Sequence, residues 1–173
     1  MNTKAIRDNH VSIIPEDRIK SGSNINSSVF ENLIPYKLKD NSCCGFIKTN
    51  KLKNELNETI IKYKIKGSLK DKLGTLSGGN IQKVIVGREF DNKPILVLAN
   101  QPTRGVDIGV KSYIYQTMLA SKKKGVSMVL ITDELPEVIG MCDTLKIVKD
   151  GEIVKTIERG KKLSEQSIIE VMV

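Results

Sequence analysis

Leu76-Ser77-Gly78-Gly79-Asn80-Ile81-Gln82-Lys83, followed beyond Pro94 by Ile95-Leu96-Val97-Leu98-Ala99, decides how the chain is read. Ser77 is a hydroxyl cap in front of two glycines, and Ile81, Val84, Ile85 and Phe90 then recur at helical spacing. The run 95–99 is apolar without alternation, the pattern of a strand covered on both faces. A second helix is predicted over 108–124, with Lys122, Lys123 and Lys124 in its last turn and Gly125 just beyond. Ser127 to Thr132 reads as another buried strand and Glu134 to Cys142 as a short helix. Strand, helix, strand, helix with two-sided apolar strands predicts an α/β domain built on a parallel sheet.

Outward from this centre the signals are local. Asp150-Gly151 lies between Thr144–Lys149 and Glu152–Ile157 and predicts a hairpin. Ser164 can cap a last helix carrying Ile168, Ile169 and Met172. Upstream, Val11–Ile14 reads as a strand stopped by Pro15, followed by a charged cluster and a loop through Gly22. Ser28-Val29-Phe30-Glu31 has the hydroxyl and carboxylate of a capping box, and Pro35 ends that short helix. Residues 36–50 show no clear period. Leu52, Leu56, Ile60 and Tyr63 mark one face of a helix ending near Gly67. The expected division is an N-terminal segment 1–23, a small helical region 24–75, an α/β part 76–160 and a C-terminal helix 161–173.

Composition narrows the function. The 173 residues hold 28 Lys and Arg against 20 Asp and Glu, one His, three Cys and no Trp. The basic excess of eight is uneven: residues 1–70 carry six of it, spread over side chains such as Lys37, Lys39, Lys48, Lys51, Lys62 and Lys66. Aromatic residues make up only 4%, so stacking platforms for single-stranded nucleic acid are not evident. A solvated Lys-rich surface is the reading adopted, with no nucleic-acid partner. No apolar run approaches the roughly 18–20 residues needed to cross a bilayer. The first ten residues lack the apolar core of a signal peptide. Cys43, Cys44 and Cys142 offer neither a paired framework nor metal-ligand spacing, which suits packing in a reducing, cytoplasmic compartment.

Two glycines after a hydroxyl at a helix start leave backbone N–H groups exposed at the positive end of the dipole, a geometry that grips phosphate oxygens. An ordinary loop-to-helix turn capped by Ser77 has the same three residues, so the neighbouring motifs decide. In order, they are Ile13-Ile14-Pro15-Glu16-Asp17-Arg18, the signature-like 76–83, Ile95 to Gln101, Pro102-Thr103-Arg104-Gly105-Val106-Asp107, and Thr132-Asp133-Glu134-Leu135.

This ordered set resembles the nucleotide-binding domain of ABC transporters, specifically the C-terminal domain of the tandem sugar and nucleoside importers. The resemblance implies a P-loop NTPase-like parallel sheet with a small helical subdomain, of which this chain is a part. It makes Leu76, Ser77, Gly78, Gly79 and Asn80 the ATP-binding signature and Asp107 the D-loop acid. Glu16 stands where the Q-loop glutamine would be, Asn100 at the Walker B aspartate that holds Mg²⁺, Gln101 at the catalytic glutamate and Asp133 at the switch histidine. ATP and Mg²⁺ are the implied cofactors, bound only together with a partner domain. The implied partners are a second ABC ATPase domain, permease subunits and, indirectly, a solute-binding protein, at the inner face of the plasma membrane.

Two departures from the pattern carry as much weight. No G-x-x-x-x-G-K-[ST] occurs in the 173 residues, the closest stretches being Gly105 to Ser112 and Gly160-Lys161-Lys162. The chain therefore reads as the last part of a larger polypeptide. Asn100 and Gln101 are neutral amides, which cannot act as a general base. His10, the single histidine, is nowhere near the switch position. The expectation is a degenerate site that still lends its signature to a partner's site, ATPase by family but inactive alone. The competing expectation is a truncated relic or regulator that docks on an ABC partner without catalysis. A nucleic-acid-associated ABC protein draws only on charge. Arg104 is expected to fix its loop by pairing with a carboxylate, and Asp143 to form a turn or cap.

Overall fold

The computed structural model describes residues 3–38, 41–43, 46, 47 and 49–158. The helix expected over 161–173, with Lys39, Cys44 and Lys48, lies outside the described residues. The chain divides into two compact units, one running to Val129 and one from Leu130.

In the first unit, helix α1 (Thr3–Asp8) leads into strand β1 (Val11–Ile14). Strand β4 (Leu96–Asn100) pairs with β1 in parallel, with Val11 opposite Leu96 and Ile14 opposite Ala99. Strand β5 (Ser127–Ile131) lies on the other side of β4, where the Ser127 N–H donates to the Ile95 carbonyl. The predicted α/β class with a parallel sheet is what the chain adopts. Two-sided burial of the strands is not. Val97 and Ala99 are buried while Leu98 is 36% exposed, and Val129 on β5 is 49% exposed. The sequence predicts cover on both faces at 95–99; among the described residues of the first unit, Val97 and Ala99 mark one buried face while Ile95 and Leu98 stay exposed.

The sealing element is α4 (Gly78–Asp91), which packs on β1 and buries Val84, Ile85, Val86 and Phe90. One buried carboxylate fixes its height. Glu89 is fully buried, and its oxygens accept from Arg7 on α1, from Arg88, from the Tyr36 hydroxyl at 3.1 Å and from the Ile13 N–H at 3.1 Å. The Ser12 hydroxyl donates to the Glu89 carbonyl at 2.7 Å. Burial, reinforced by the Glu89 charge, pushes the Tyr36 phenol up to about 12.

Between β1 and α4 the chain forms α2 (Val29–Leu33), the strands β2 (Ser42–Cys43) and β3 (Phe46–Ile47), and α3 (Thr49–Lys62). The capping box forms as read: Ser28 caps Glu31 and the Glu31 carboxylate accepts from the Ser28 N–H at 2.8 Å. Two expectations need correction. Helix α3 ends at Lys62 rather than near Gly67, because Lys64 takes a positive φ of 50°. Its inner face is Leu52, Leu56, Thr59 and Tyr63, with Ile60 only half-buried. Thr59 is drawn inward because its hydroxyl bonds the Asp91 carboxylate at 2.6 Å, and Gly87 leaves room for the Tyr63 ring. Lys37 and Lys62 also reach Asp91, at 2.9 and 2.7 Å.

After β4, helix α5 (Ile108–Lys122) stops two residues short of the predicted 124, with Lys123 as its C-cap and Lys124 beyond it, and Gly125 takes the left-handed region at φ 88°. The second unit holds α6 (Leu135–Met141) and the antiparallel hairpin of β6 (Thr144–Lys149) and β7 (Glu152–Glu158). Asp150 and Gly151 make its turn with φ of 52° and 83°, the primed geometry expected of Asp-Gly. Ile147 and Ile157 are its buried centre, packed by Leu135, Ile139 and Leu145.

Two substitutions test these anchors. Glu89→Ala leaves two guanidinium groups without their buried partner, so urea unfolding is expected to show a loss of roughly 3–5 kcal/mol. For Asp91, burial would raise its pKa, but hydrogen bonds from Lys62, Thr59 and Lys37 outweigh it and hold the carboxyl at about 2. An unfolded aspartate titrates near about 3.9. The stabilisation is therefore present at neutral pH and is lost as pH falls from about 4 towards 2. Asp91→Asn is expected to cost roughly 1–2 kcal/mol at pH 7 and progressively less below about pH 4, vanishing only as pH falls through the folded pKa of about 2, read from urea midpoints across that range.

Candidate functional site

Ser77 is the N-cap of α4, with φ −62° and ψ 153°, and its oxygen accepts from the Asn80 N–H at 3.4 Å. The Asn80 side chain closes this turn from both ends. Its amide donates to the Ser77 hydroxyl at 2.9 Å, and its carbonyl accepts from the Lys66 N–H at 2.9 Å. Ser77 and Gly78 are exposed and Gly79 is buried. A Cβ on Gly79 would sit 2.9 Å from Val110 Cγ2 and 3.3 Å from Asp107 Oδ2. Glycine fits there because the Val110 and Asp107 side chains at the start of α5 rest against the α4 backbone.

Asp107 caps α5, its Oδ1 accepting from the Val110 N–H at 2.9 Å. The first turns of α4 and α5 thus lie side by side. Asn100 ends β4, and Gln101 follows with a positive φ of 49° while its carbonyl accepts from the Arg104 N–H at 3.1 Å. Buried Gln82 donates to the Pro102 carbonyl at 2.6 Å. That tie between α4 and the 100–107 loop was invisible in the sequence, where Gln82 was one more polar residue on a helix. Arg104 pairs with Glu16, the carboxylate partner that the sequence reading expected it to have.

Glu16, the 76–80 stretch, Asn100, Gln101 and Asp107 therefore all belong to the first unit. Asp133 lies in the second unit, exposed between β5 and α6. The Lys64 and Lys83 ammoniums stand over the Tyr113 ring at 5.5 and 5.4 Å, and Lys83 donates to the Lys64 carbonyl. Burial first, then repulsion from Lys66 and Lys64, pulls the Lys83 pKa down against the attraction of Asp107. The flank of the α4 N-terminus is thus cationic.

The donor set at 100 and 101 does not fit a divalent cation. Both groups are neutral amides, and among the described residues no group of three or more His, Cys, Asp or Glu side chains is placed to hold a metal. The 101–107 loop supplies backbone shape, not charge, at these positions.

The fold matches that of ABC ATPase cassettes. A dimeric cassette in a post-hydrolysis state bound to ADP and Pi superposes with a TM-score of 0.75 at 20% identity, over 91% of this chain and 68% of that one. A nucleotide-free cassette from an ABC transporter gives 0.75 at 20% identity, over 100% and 72%. The chain's homologues are ribose and nucleoside import ATP-binding proteins. It is 34% identical over 163 residues to the ribose import ATP-binding protein of Shouchella clausii, covering 94% of this chain and 32% of that protein. The nucleoside import ATP-binding protein of Lactococcus lactis is 32% identical over 153 residues, 87% of this chain and 30% of its own length. The chain spans about a third of the length of the curated relatives it matches. No family model matches it.

Gly79→Ala tests the α4–α5 contact. The added methyl must push Val110 aside, so thermal unfolding is expected to show a loss of roughly 1–3 kcal/mol. Gly78→Ala, whose Cβ would lie no nearer than 3.7 Å to Arg18, is expected to leave stability within about 0.5 kcal/mol.

Proposed function

We propose that the chain is an ATP-binding segment of an ABC importer for sugars or nucleosides, one that lends its signature to an ATP site completed by a partner domain. The observation that carries this reading is the α4 N-terminus. Ser77 and Gly78 are exposed, the helix start is capped, and Asp107 stands beside it. Exposed backbone donors at a positive helix end suit the phosphates of a nucleotide held by another domain. ATP and Mg²⁺ would be held chiefly by that partner. The chain's own position for a metal and a general base carries Asn100 and Gln101, so hydrolysis here has neither a charged metal ligand nor a base.

The printed names of the relatives are those of ribose and nucleoside import ATP-binding proteins. By extension the partners are a second ABC ATPase domain carrying the phosphate-binding loop, permease subunits and, through them, a solute-binding protein. The site of action is the inner face of the plasma membrane, reached as a peripheral subunit. No helix among the described residues is long and apolar enough to cross a membrane. The helical region 24–75 is the part of this chain assigned to face the permease.

Two measurements test the reading. The isolated chain is expected to show no ATP turnover above background, and robust turnover would overturn the degenerate-site assignment. Combined with a cassette that carries a G-x-x-x-x-G-K-[ST] loop, the chain is expected to support turnover that Ser77→Arg abolishes. Turnover indifferent to Ser77→Arg would remove the signature from the mechanism and leave the docking, non-catalytic role.

A further inference from the structure

Arg18 lies in the turn after β1, where neither its charge nor its shape was assigned a task. Among the described residues its guanidinium hydrogen-bonds to carbonyls rather than to a carboxylate. Nη2 donates to two consecutive carbonyls, Arg104 at 3.0 Å and Gly105 at 3.2 Å, and Nη1 reaches the Gly78 carbonyl at 3.4 Å. One planar group thus joins three segments distant in sequence: the Glu16 turn, the first residue of α4 and the loop that leads to Asp107. Carbonyls drawn to a cation make charge-assisted hydrogen bonds, and the fixed fork of arginine fits several acceptors at once.

The surroundings are shaped to this group. Gly105 has a positive φ of 64°, and a Cβ there would sit 2.9 Å from Arg18 Nη2. The turn that presents Arg18 is closed on itself. Asp17 Oδ1 accepts from the N–H groups of Ile19 and Lys20 at 2.9 Å, and the Ser23 hydroxyl donates to the Arg18 carbonyl at 2.6 Å. The same turn is fastened to the second half of α4, where Arg88 donates to the Gly22 carbonyl at 2.8 Å and a Cβ on Gly22 would meet Ile85 at 2.9 Å. Glu16 and Arg104 add a pair between the turn and the loop, but both side chains are substantially exposed and such pairs contribute little.

We propose that Arg18 is a positioning residue that locks the signature turn at 77–80 and the 101–107 loop into one register, so that Ser77 and Asp107 face a partner domain as a single rigid edge. The proposal rests on the reading of 77–80 as half of an ATP site. Arg18 acts through Gly78, Arg104 and Gly105, and touches no nucleotide.

The experiment compares wild type, Arg18→Lys, Gly105→Ala and the double variant in the full chain. Arg18→Lys keeps the charge and loses the fork; Gly105→Ala displaces the guanidinium while leaving its charge intact. Hydrogen exchange of the Asn80, Arg104 and Val110 amides is expected to rise roughly tenfold in each single variant, the scale of one lost hydrogen bond. The double variant should be no faster than the singles, since both remove one shared contact. Amides of α3 and of the β6–β7 hairpin should not change. Unchanged exchange at the three reporter amides, or equal acceleration throughout α3 and α4, overturns the proposal. With a loop-bearing partner cassette, Arg18→Lys is expected to slow turnover about tenfold with the half-saturating ATP concentration unaltered. If turnover ignores Ser77→Arg, the shared-site reading fails while the exchange result still decides the role of Arg18.

Discussion

A carboxylate buried at zero exposure must be surrounded by donors or the helix that carries it will not pack. Glu89 meets that constraint with Arg7, Arg88, Tyr36 and the Ile13 N–H, and these four donors come from four places in the chain. Satisfying Glu89 therefore brings α1, β1, the turn after α2 and α4 together. The Tyr36 ring is also flanked by the Arg7 and Arg88 guanidiniums at 4.9 and 5.9 Å, so the cations that neutralise Glu89 are themselves held. The register of α4 on the sheet follows, and with it the place where Ser77 and Gly78 emerge.

From that anchor the contacts run along α4 in both directions. At its C-terminal end Asp91 gathers Lys37, Thr59 and Lys62, which fastens α3. In the middle Gln82 grips the Pro102 carbonyl, and Arg88 grips Gly22. At the N-terminal end Gly79 rests on Val110 and Asp107. Asp91, Arg88 and Gln82 thus each hold a defined polar partner, and Gly79 lies against Val110 and Asp107. Its exposed first turn is consequently a rigid feature rather than a fraying end.

The sequence disclosed the parts governed by local chemistry. The Ser28 capping box, the Ser77 cap and the Asp150-Gly151 turn depend on residues within a few positions of one another, and each took the predicted form. What stayed hidden is long-range. Glu89 and Gln82 looked like ordinary polar positions of an amphipathic helix, because their partners lie up to 82 residues away. Thr59 replaced Ile60 on the inner face of α3 because Asp91 offered an acceptor that no period in hydrophobicity encodes. The two-residue strands at 42–43 and 46–47 are too short to show a pattern. The apolar run at 95–99 revealed a strand but not how many of its faces the chain would cover. Among the site residues, Glu16, the 76–80 stretch, Asn100, Gln101 and Asp107 were legible as an ordered set, whereas the contacts that bind them together through Arg18 and Gln82 were not.

Scaffold and reactive groups have separate fates in this chain. The loop after β4 keeps a demanding backbone: Gln101 sits at a positive φ that costs a side-chain-bearing residue of order 1 kcal/mol, held by the Arg104 N–H on its carbonyl. Thr103 is buried with its hydroxyl against that of Tyr115, Arg104 pairs with Glu16, and Gly105 makes room for Arg18. Every one of these contacts serves shape, and none depends on what the side chains of Asn100 and Gln101 can do. An amide fills nearly the volume of the corresponding acid, so carboxylates can be exchanged for amides at these two positions without disturbing the loop. The physical consequence is that neutral amides at 100 and 101 are compatible with the geometry that places Asp107 beside Ser77, because that geometry rests on Arg18, Gln82 and Gly79.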